Sequence, residues 1–367
     1  MVIRGLDKFT GLTATDEDDV SEAPERKRLF FAGGRSHLEA DTLFVTTKSN
    51  GENAKATLRE IGGEWWVLAG SKNVCLACPV ATDPRTVYNN TDPTIPSWKI
   101  LNAFHEYVTG VVRDELDALE ELGRVLHDNH YVVLFEFNNA THEHLFPIEA
   151  DFLDGFAIRG VGSAAIDPVT TFALFDKYQF PAVKVEKRAV AELDDIVAEV
   201  RADTTTEGVV VYFMLDGEVI GLLKVKSDFY TLARATREQF KRLGNSVFRA
   251  LKALQPRAPS GAVREAVTIS RATLTDVENR IRRRMARMDQ IPSYETDHEA
   301  WAARAVAFCH YWLDNVYNKA PLTIEARKAA IEASRAKFGT LYAKFYAQYV
   351  PGAEVEAGVA GASGGGL

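Results

Sequence analysis

Between Glu207 and Lys226 the chain has little choice but to form a β-hairpin. Val209-Val210-Val211-Tyr212-Phe213 is a β-branched and aromatic run, Asp216-Gly217 is a tight-turn pair, and Val219-Ile220-Gly221-Leu222-Leu223-Lys224-Val225-Lys226 returns beside it. Strand alternation then puts Lys224 and Lys226 on one side of the sheet and Val225 on the other. Two ammonium groups on one strand face repel each other unless an anion lies between them. Glu207, at the start of the first strand, can face the same pocket as the lysine pair.

A second lysine ends another strand. Leu43-Phe44-Val45 alternates into Thr46-Thr47-Lys48-Ser49-Asn50-Gly51-Glu52, where Gly51 permits close backbone approach. An amine with a reference pKa of about 10.4 is no nucleophile until it loses its proton, and nearby cations or desolvation supply that shift. Leu29-Phe30-Phe31, residues 54–60 and residues 64–69 also read as strands, the last two joined by Gly62-Gly63. Lys72 follows them in the turn Gly70-Ser71-Lys72-Asn73. Tyr131 to Phe137 is an almost wholly apolar strand with Glu136 inside it, a costly place for a carboxylate without a partner or a metal. Gly155 to Val161 is a further strand.

Helical periodicity covers Trp98 to His127, Asp167 to Phe180 and Ala189 to Arg201. Asp16-Glu17-Asp18-Asp19, within residues 13–28, marks an acidic loop. After Phe229 the strands stop. Tyr230 to Leu254, Leu274 to Met288, Glu299 to Tyr317 and Ile324 to Tyr349 read as helices, with a linker at Pro256 to Gly261, and the Gly/Ala-rich stretch from Pro351 reads as disordered. The expected organisation is α+β: an antiparallel-sheet domain over residues 1–240, an all-α C-terminal domain over 241–350 and a tail over 351–367.

Lys48-x-Asn50-Gly51, Glu136, Glu207-Gly208 and Lys224-x-Lys226, in this order, resemble the motifs of the covalent nucleotidyltransferases. Lys-x-Asn-Gly and Lys-x-Lys-Ser-Asp-Phe-Tyr look most like the ATP-dependent RNA ligases of the phage T4 ligase 1 and fungal tRNA ligase type. Arg4, Gly5, Lys8 and Phe9 match a segment that this family carries before its nucleophile; Thr10 departs from it. The resemblance implies a nucleotidyltransferase (adenylyltransferase) domain that uses ATP with Mg2+ or Mn2+ to join RNA ends. In that scheme Lys48 becomes lysyl-AMP, and Lys224, Lys226 and Glu207 assist. Lys8, Thr47, Asn50, Gly51, Lys72, Glu136 and Gly208 line the nucleotide pocket, Phe156 stacks on adenine, and Glu207 with Glu136 positions the metal. His144 falls where related sequences carry a histidine. A GTP-using capping guanylyltransferase and a non-catalytic RNA- or nucleotide-binding protein with the same fold are the alternatives. No phosphate loop or paired His-x-Thr motif is present, so end-healing activities are expected to be missing or to reside on other chains.

A net charge of −8 runs against RNA binding, but its distribution does not. Residues 234–287 hold 14 Lys and Arg against 4 Asp and Glu, a local +10 that leaves −18 elsewhere. Three cysteines cannot form a disulfide framework, and Cys75-x-x-Cys78 reads as buried thiols rather than a zinc site. With no signal-like start and no membrane-length apolar run, the expectation is a soluble intracellular monomer of cytoplasm or nucleus.

Overall fold

The computed structural model describes residues 3, 6, 35–89, 92, 94–112, 116–140, 145, 146, 148, 150–160, 165–253, 275, 276, 278–283, 298–321 and 323–349. The expectations for Lys8 and the Arg4-Gly5 segment, the acidic loop, the strand at Leu29-Phe30-Phe31, His144, the linker and the tail lie outside these residues. The chain divides into two compact units, Met1–Leu232 and Ala233–Leu367.

The first unit is built on two antiparallel sheets. Strands β1 (Thr42–Thr47), β7 (Val185–Arg188), β8 (Gly208–Leu215) and β9 (Glu218–Lys226) form one, in the order β7-β1-β8-β9. Strands β2 (Glu52–Ile61), β3 (Glu64–Ser71), β4 (Cys75–Pro79), β5 (Val132–Asn138) and β6 (Phe152–Arg159) form the other, in the order β4-β3-β2-β5-β6. Both tight hairpins use left-handed backbone: Gly62 and Gly63 at φ 64° and 83°, Asp216 and Gly217 at φ 51° and 81°. Such turns match the twist of the strands they join.

Each sheet buries one face under helices. After the single-turn helix α1 (Pro84–Val87), helices α2 (Pro96–Val112) and α3 (Leu116–Asp128) cover the five-stranded sheet, where Ala54, Ala56, Val67, Val133, Phe135 and Phe137 meet Ile100, Leu101, Phe104, Val108, Leu122 and Leu126. Helix α5 (Leu193–Ala202), the next after α4 (Pro168–Lys177), covers the four-stranded sheet, setting Leu193, Ile196 and Val200 on Leu43, Val211, Phe213, Leu223 and Val225. Side chains one residue out of phase with these cores necessarily point the other way. Glu136, Asn138, Lys55, Lys224 and Lys226 are all of that phase.

Several expectations change. The single helix at 98–127 is two, and the stretch Val108-Thr109-Gly110-Val111-Val112 that closes α2 is poor helix material. The helix over 324–349 is also two, Ile324–Ala336 and Phe338–Gln348, parted at Lys337, whose φ of −119° and ψ of 25° leave the helical basin. Strands β4 and β7 were not anticipated: one is short and the other, Val-Glu-Lys-Arg, is an exposed edge without apolar alternation. In the second unit the elements named among the described residues are helical. Phe240, Phe308, Trp312, Phe338 and Tyr342 form its aromatic core, and Trp312 Nε1 donates to Ser334 Oγ at 2.9 Å. No helix among the described residues is long and apolar enough to cross a membrane.

The thiols also part company. Cys78 lies fully buried in the helix-facing core, but Cys75, three residues earlier on β4 and so on the other face, is exposed. That corrects the buried reading for Cys75, and alternation also keeps the two from sharing a metal. Cys309 is buried, and burial pushes its thiol up to about 12. Native protein treated with N-ethylmaleimide should gain one adduct, at Cys75, with Cys78 and Cys309 reacting only after denaturation. Equal labelling of Cys78 would show that β4 is not packed as described.

Candidate active site

The chain crosses from one sheet to the other at Lys48. Thr47 N donates to Lys184 O at 3.0 Å and Lys48 N to Gly208 O at 2.8 Å, the last backbone ties to the four-stranded sheet. Four residues later, at Glu52, the chain is in β2 of the five-stranded sheet. A Cβ on Gly51 would lie 2.7 Å from Phe137 O, so this crossing needs glycine.

Lys48 Nζ lies 2.9 Å from Glu207 Oε1, with the two side chains only 18% and 5% exposed. Glu207 is held from behind by its neighbours. Its carbonyl accepts from Ser227 N at 2.9 Å, and Ser227 Oγ donates to Thr206 O at 2.8 Å. Gly208 has a φ of 144°, and a Cβ there would lie 2.0 Å from Val225 O. Glycine after Glu207 is thus a steric requirement of the hairpin.

Glu136 approaches from the five-stranded sheet. Burial raises its carboxyl, Lys48 pulls it down, Glu207 raises it, Lys224 pulls it down and Asp154 raises it, with the balance at about 7. Five charged side chains from both sheets therefore share one site. Lys224 stands across from Val210 and Lys226 across from Gly208 on β8, and Lys226 Nζ sits 5.6 Å from the centre of the Tyr230 ring.

Asp154 is a member that sequence reasoning missed. It pairs with Glu136 across β5 and β6, and its Oδ2 accepts from Ser49 Oγ at 2.6 Å. Ser49 Oγ in turn accepts from Asn138 Nδ2 at 3.2 Å, while Ser49 O accepts from Lys48 Nζ at 3.4 Å. The residue next to Lys48 is thereby pinned to the far sheet. The expected strand began at Gly155, whereas β6 begins at Phe152. Extending the alternation back would have set a carboxylate opposite Glu136, an arrangement that is unfavourable unless other groups compensate.

Phe156 is partly buried beside Leu68, Val132, Leu134 and Ala157, at the bulge where the β5–β6 register shifts, and its carbonyl accepts from Tyr212 Oη at 3.1 Å. Lys72 lies exposed in the β3–β4 turn, and no described contact joins its side chain to the Lys48 group. Asn50 Nδ2 is buried without a hydrogen-bond partner. An unsatisfied buried amide two residues from Lys48 is the kind of orphan that a phosphate or nucleobase acceptor completes. No three His, Cys, Asp or Glu side chains among the described residues are arranged to hold a metal by themselves. Glu136 and Glu207 nonetheless fit a hydrated Mg2+, which takes one or two carboxylates and completes its shell with water and phosphate oxygens.

No family model matches the chain, and no curated protein matches it. Among solved structures it is similar to an archaeal ATP-dependent RNA ligase: 16% identity over 87% of this chain and 68% of that one, TM-score 0.43. A putative ATP-dependent DNA ligase from Aquifex aeolicus gives 17% over 76% of this chain and 62% of that one, TM-score 0.41. A Naegleria gruberi RNA ligase mutant with ATP and Mn gives 14% over 53% of this chain and 51% of that one, TM-score 0.34. The chain thus spans less than two thirds of the latter two.

The Glu136 carboxyl, raised from 4.5 to about 7, binds a proton that the unfolded chain has already released in that interval. Its contribution to stability is complete below pH 4.5 and is lost as pH rises through 7, on the order of 3 kcal/mol in all. Urea unfolding of Glu136→Gln against wild type should show that loss removed between pH 4.5 and 7.5. Identical slopes would mean that Glu136 is not buried among these charges.

Proposed function

We propose that the chain is an ATP-dependent RNA ligase that joins a 3′-hydroxyl to a 5′-phosphate through a lysyl-AMP and an RNA-adenylate, in RNA repair or tRNA splicing. The observation that carries the reading is the buried Lys48–Glu207 pair at the crossing between the sheets, 2.9 Å apart, with Lys224 and Glu136 facing it. Pure binding of a nucleotide needs no amine fastened to a carboxylate that can relieve it of a proton. The ordered motifs around Lys48, Glu136, Glu207 and Lys224-x-Lys226 support the same class.

In the first step the Lys48 amine attacks the α-phosphorus of ATP. An N–P bond forms, the bond to the bridging oxygen breaks, and pyrophosphate leaves with its electron pair. Glu207 Oε1 is placed to take the proton from Nζ. Lys224 and Lys226, projecting from one face of β9, offset the charge that gathers on the α-phosphate. Ser49, tied to Asp154, holds the lysine backbone still while its side chain changes partner. A divalent ion on Glu136 and Glu207 would supply further charge stabilisation. The later steps pass AMP to a 5′-phosphate and then displace it with a ribose hydroxyl, and both again concentrate negative charge beside the same lysines. Phe156 is the residue offered to the adenine base, and Asn50 lines the nucleotide pocket.

Incubation with labelled ATP and Mg2+ should give one AMP per protein, stable to base and cleaved by acid as a phosphoramidate is. Lys48→Ala should abolish the adduct, and Glu207→Gln should slow its formation at least about 100-fold, the scale of a lost general base. A GMP adduct in place of AMP would make the protein a capping enzyme. No adduct with either nucleotide would leave a binding protein.

A further inference from the structure

Phe156 sits where the β5–β6 ladder slips by one residue. Leu134 pairs with Ala157 and the next residue, Phe135, with Gly155, which leaves Phe156 without a cross-strand partner on β5. Phe156 and Ala157 both join Leu68, Val132 and Leu134, on the face that also carries Glu136, while Ile158 returns to the helix-covered core. Counted back from Ile158 and Ala157, strict alternation would have turned Phe156 into that core. The extra residue of the bulge turns its ring out toward the charged site instead.

A bulged residue drops out of the ladder, so its backbone groups need other partners. The residue before it is fastened on both sides: Gly155 N donates to Pro181 O at 2.8 Å, and Gly155 O accepts from Val183 N at 3.0 Å. Phe156 O accepts from Tyr212 Oη at 3.1 Å, and that donor comes from the four-stranded sheet. Tyr212 is only 2% exposed, and burial pushes its phenol up, so it remains a donor at neutral pH. On β8 it stands two residues beyond Val210, the partner of Lys224. It therefore shares a face with that lysine, about 7 Å further along the strand. One hydroxyl thus ties the hairpin that carries Glu207 and Lys224 to the bulge that aims the Phe156 ring.

We infer that Tyr212 is a positioning residue for nucleotide binding: its hydroxyl holds the bulge so that the Phe156 ring presents a fixed face to the base. The inference rests on the reading of this site as a nucleotide pocket with Phe156 at the adenine. Tyr212 touches neither base nor phosphate and acts through the backbone of Phe156 alone. Lys48 and Lys224 are held by their own strand pairing and do not depend on the bulge. Loss of the hydroxyl is therefore felt at the base end of the nucleotide and not at its phosphates.

Calorimetry with ATP and with inorganic tripolyphosphate, which has the phosphates but no base, separates the two ends. Wild type, Tyr212→Phe, Phe156→Leu and the double variant are compared, each checked for folding by circular dichroism. Tyr212→Phe removes one oxygen and keeps the ring, and it should weaken ATP about fivefold, the scale of one hydrogen bond, while tripolyphosphate binding stays unchanged. In the Phe156→Leu background the same substitution should cost little more, because two residues that act as a unit are not additive. In the adenylylation assay, KM for ATP should rise by the same factor while the rate at saturating ATP holds. Unchanged ATP binding by Tyr212→Phe, equal weakening of both ligands, or full additivity with Phe156→Leu would overturn the inference and leave the hydroxyl as a plain tie between the sheets. A wild type that binds no ATP would sink the nucleotide-pocket reading and this inference with it, an outcome distinct from a wild type and a Tyr212→Phe that bind ATP equally well.

Discussion

The pairing of Lys48 with Glu207 depends on a steric fact about the backbone more than on charge attraction. Lys48 N is bonded to Gly208 O, one residue beyond the carboxylate that its side chain meets, so strand pairing brings the two residues together before any ion pair forms. Gly208 must be glycine because Val225 O occupies the space of a Cβ, and Ser227 fastens the same corner from behind. A buried ion pair assembled on such a frame gives up little additional conformational freedom. The frame supplies the fixed geometry on which the mutual attraction of the two charges must rely to offset the desolvation that burying both costs.

The second constraint is division of labour between sheet faces. Each sheet hides one face under helices with well-packed aliphatic and aromatic side chains, and this burial stabilises the unit. The other faces carry a row of groups that would be destabilising in isolation: Glu136, Asp154, Lys55, Lys224. Burial lifts the Glu136 carboxyl to about 7, with Glu207 and then Asp154, opposite it on β6, adding to the rise against the pull of Lys48 and Lys224. Stability taken from the packed faces holds charge in unfavourable positions on the working ones, a common arrangement at sites that must bind or transform anions.

How much of this was legible in the chain varies with the range of the interaction. The hairpins at Gly62-Gly63 and Asp216-Gly217, the strand ending at Lys48 and the Asp167-Pro168 helix start are local matters of turn geometry and capping, and all lie where sequence reasoning puts them. Asp154, β4 and β7 escaped it. Nothing in Val-Glu-Lys-Arg marks an edge strand until β1 is there to pair with it. Apolar periodicity runs on through 98–127 and 324–349, so it marks neither division: α2 closes on the poor helix formers Val108 to Val112, and Lys337 leaves the helical basin.

Alternation and turn chemistry, written in the chain itself, determined that there are antiparallel strands and which face each lysine takes. Tertiary structure alone decided that Lys48 leaves one sheet for another, that Ser49 is tied to Asp154 105 positions away, and that Tyr212 reaches the bulge at Phe156. The reason is the reach of the forces involved. Backbone sterics and hydrophobic period act over a few residues and can be read in order, whereas the state of a buried charge is set by whatever else arrives within a few ångströms of it.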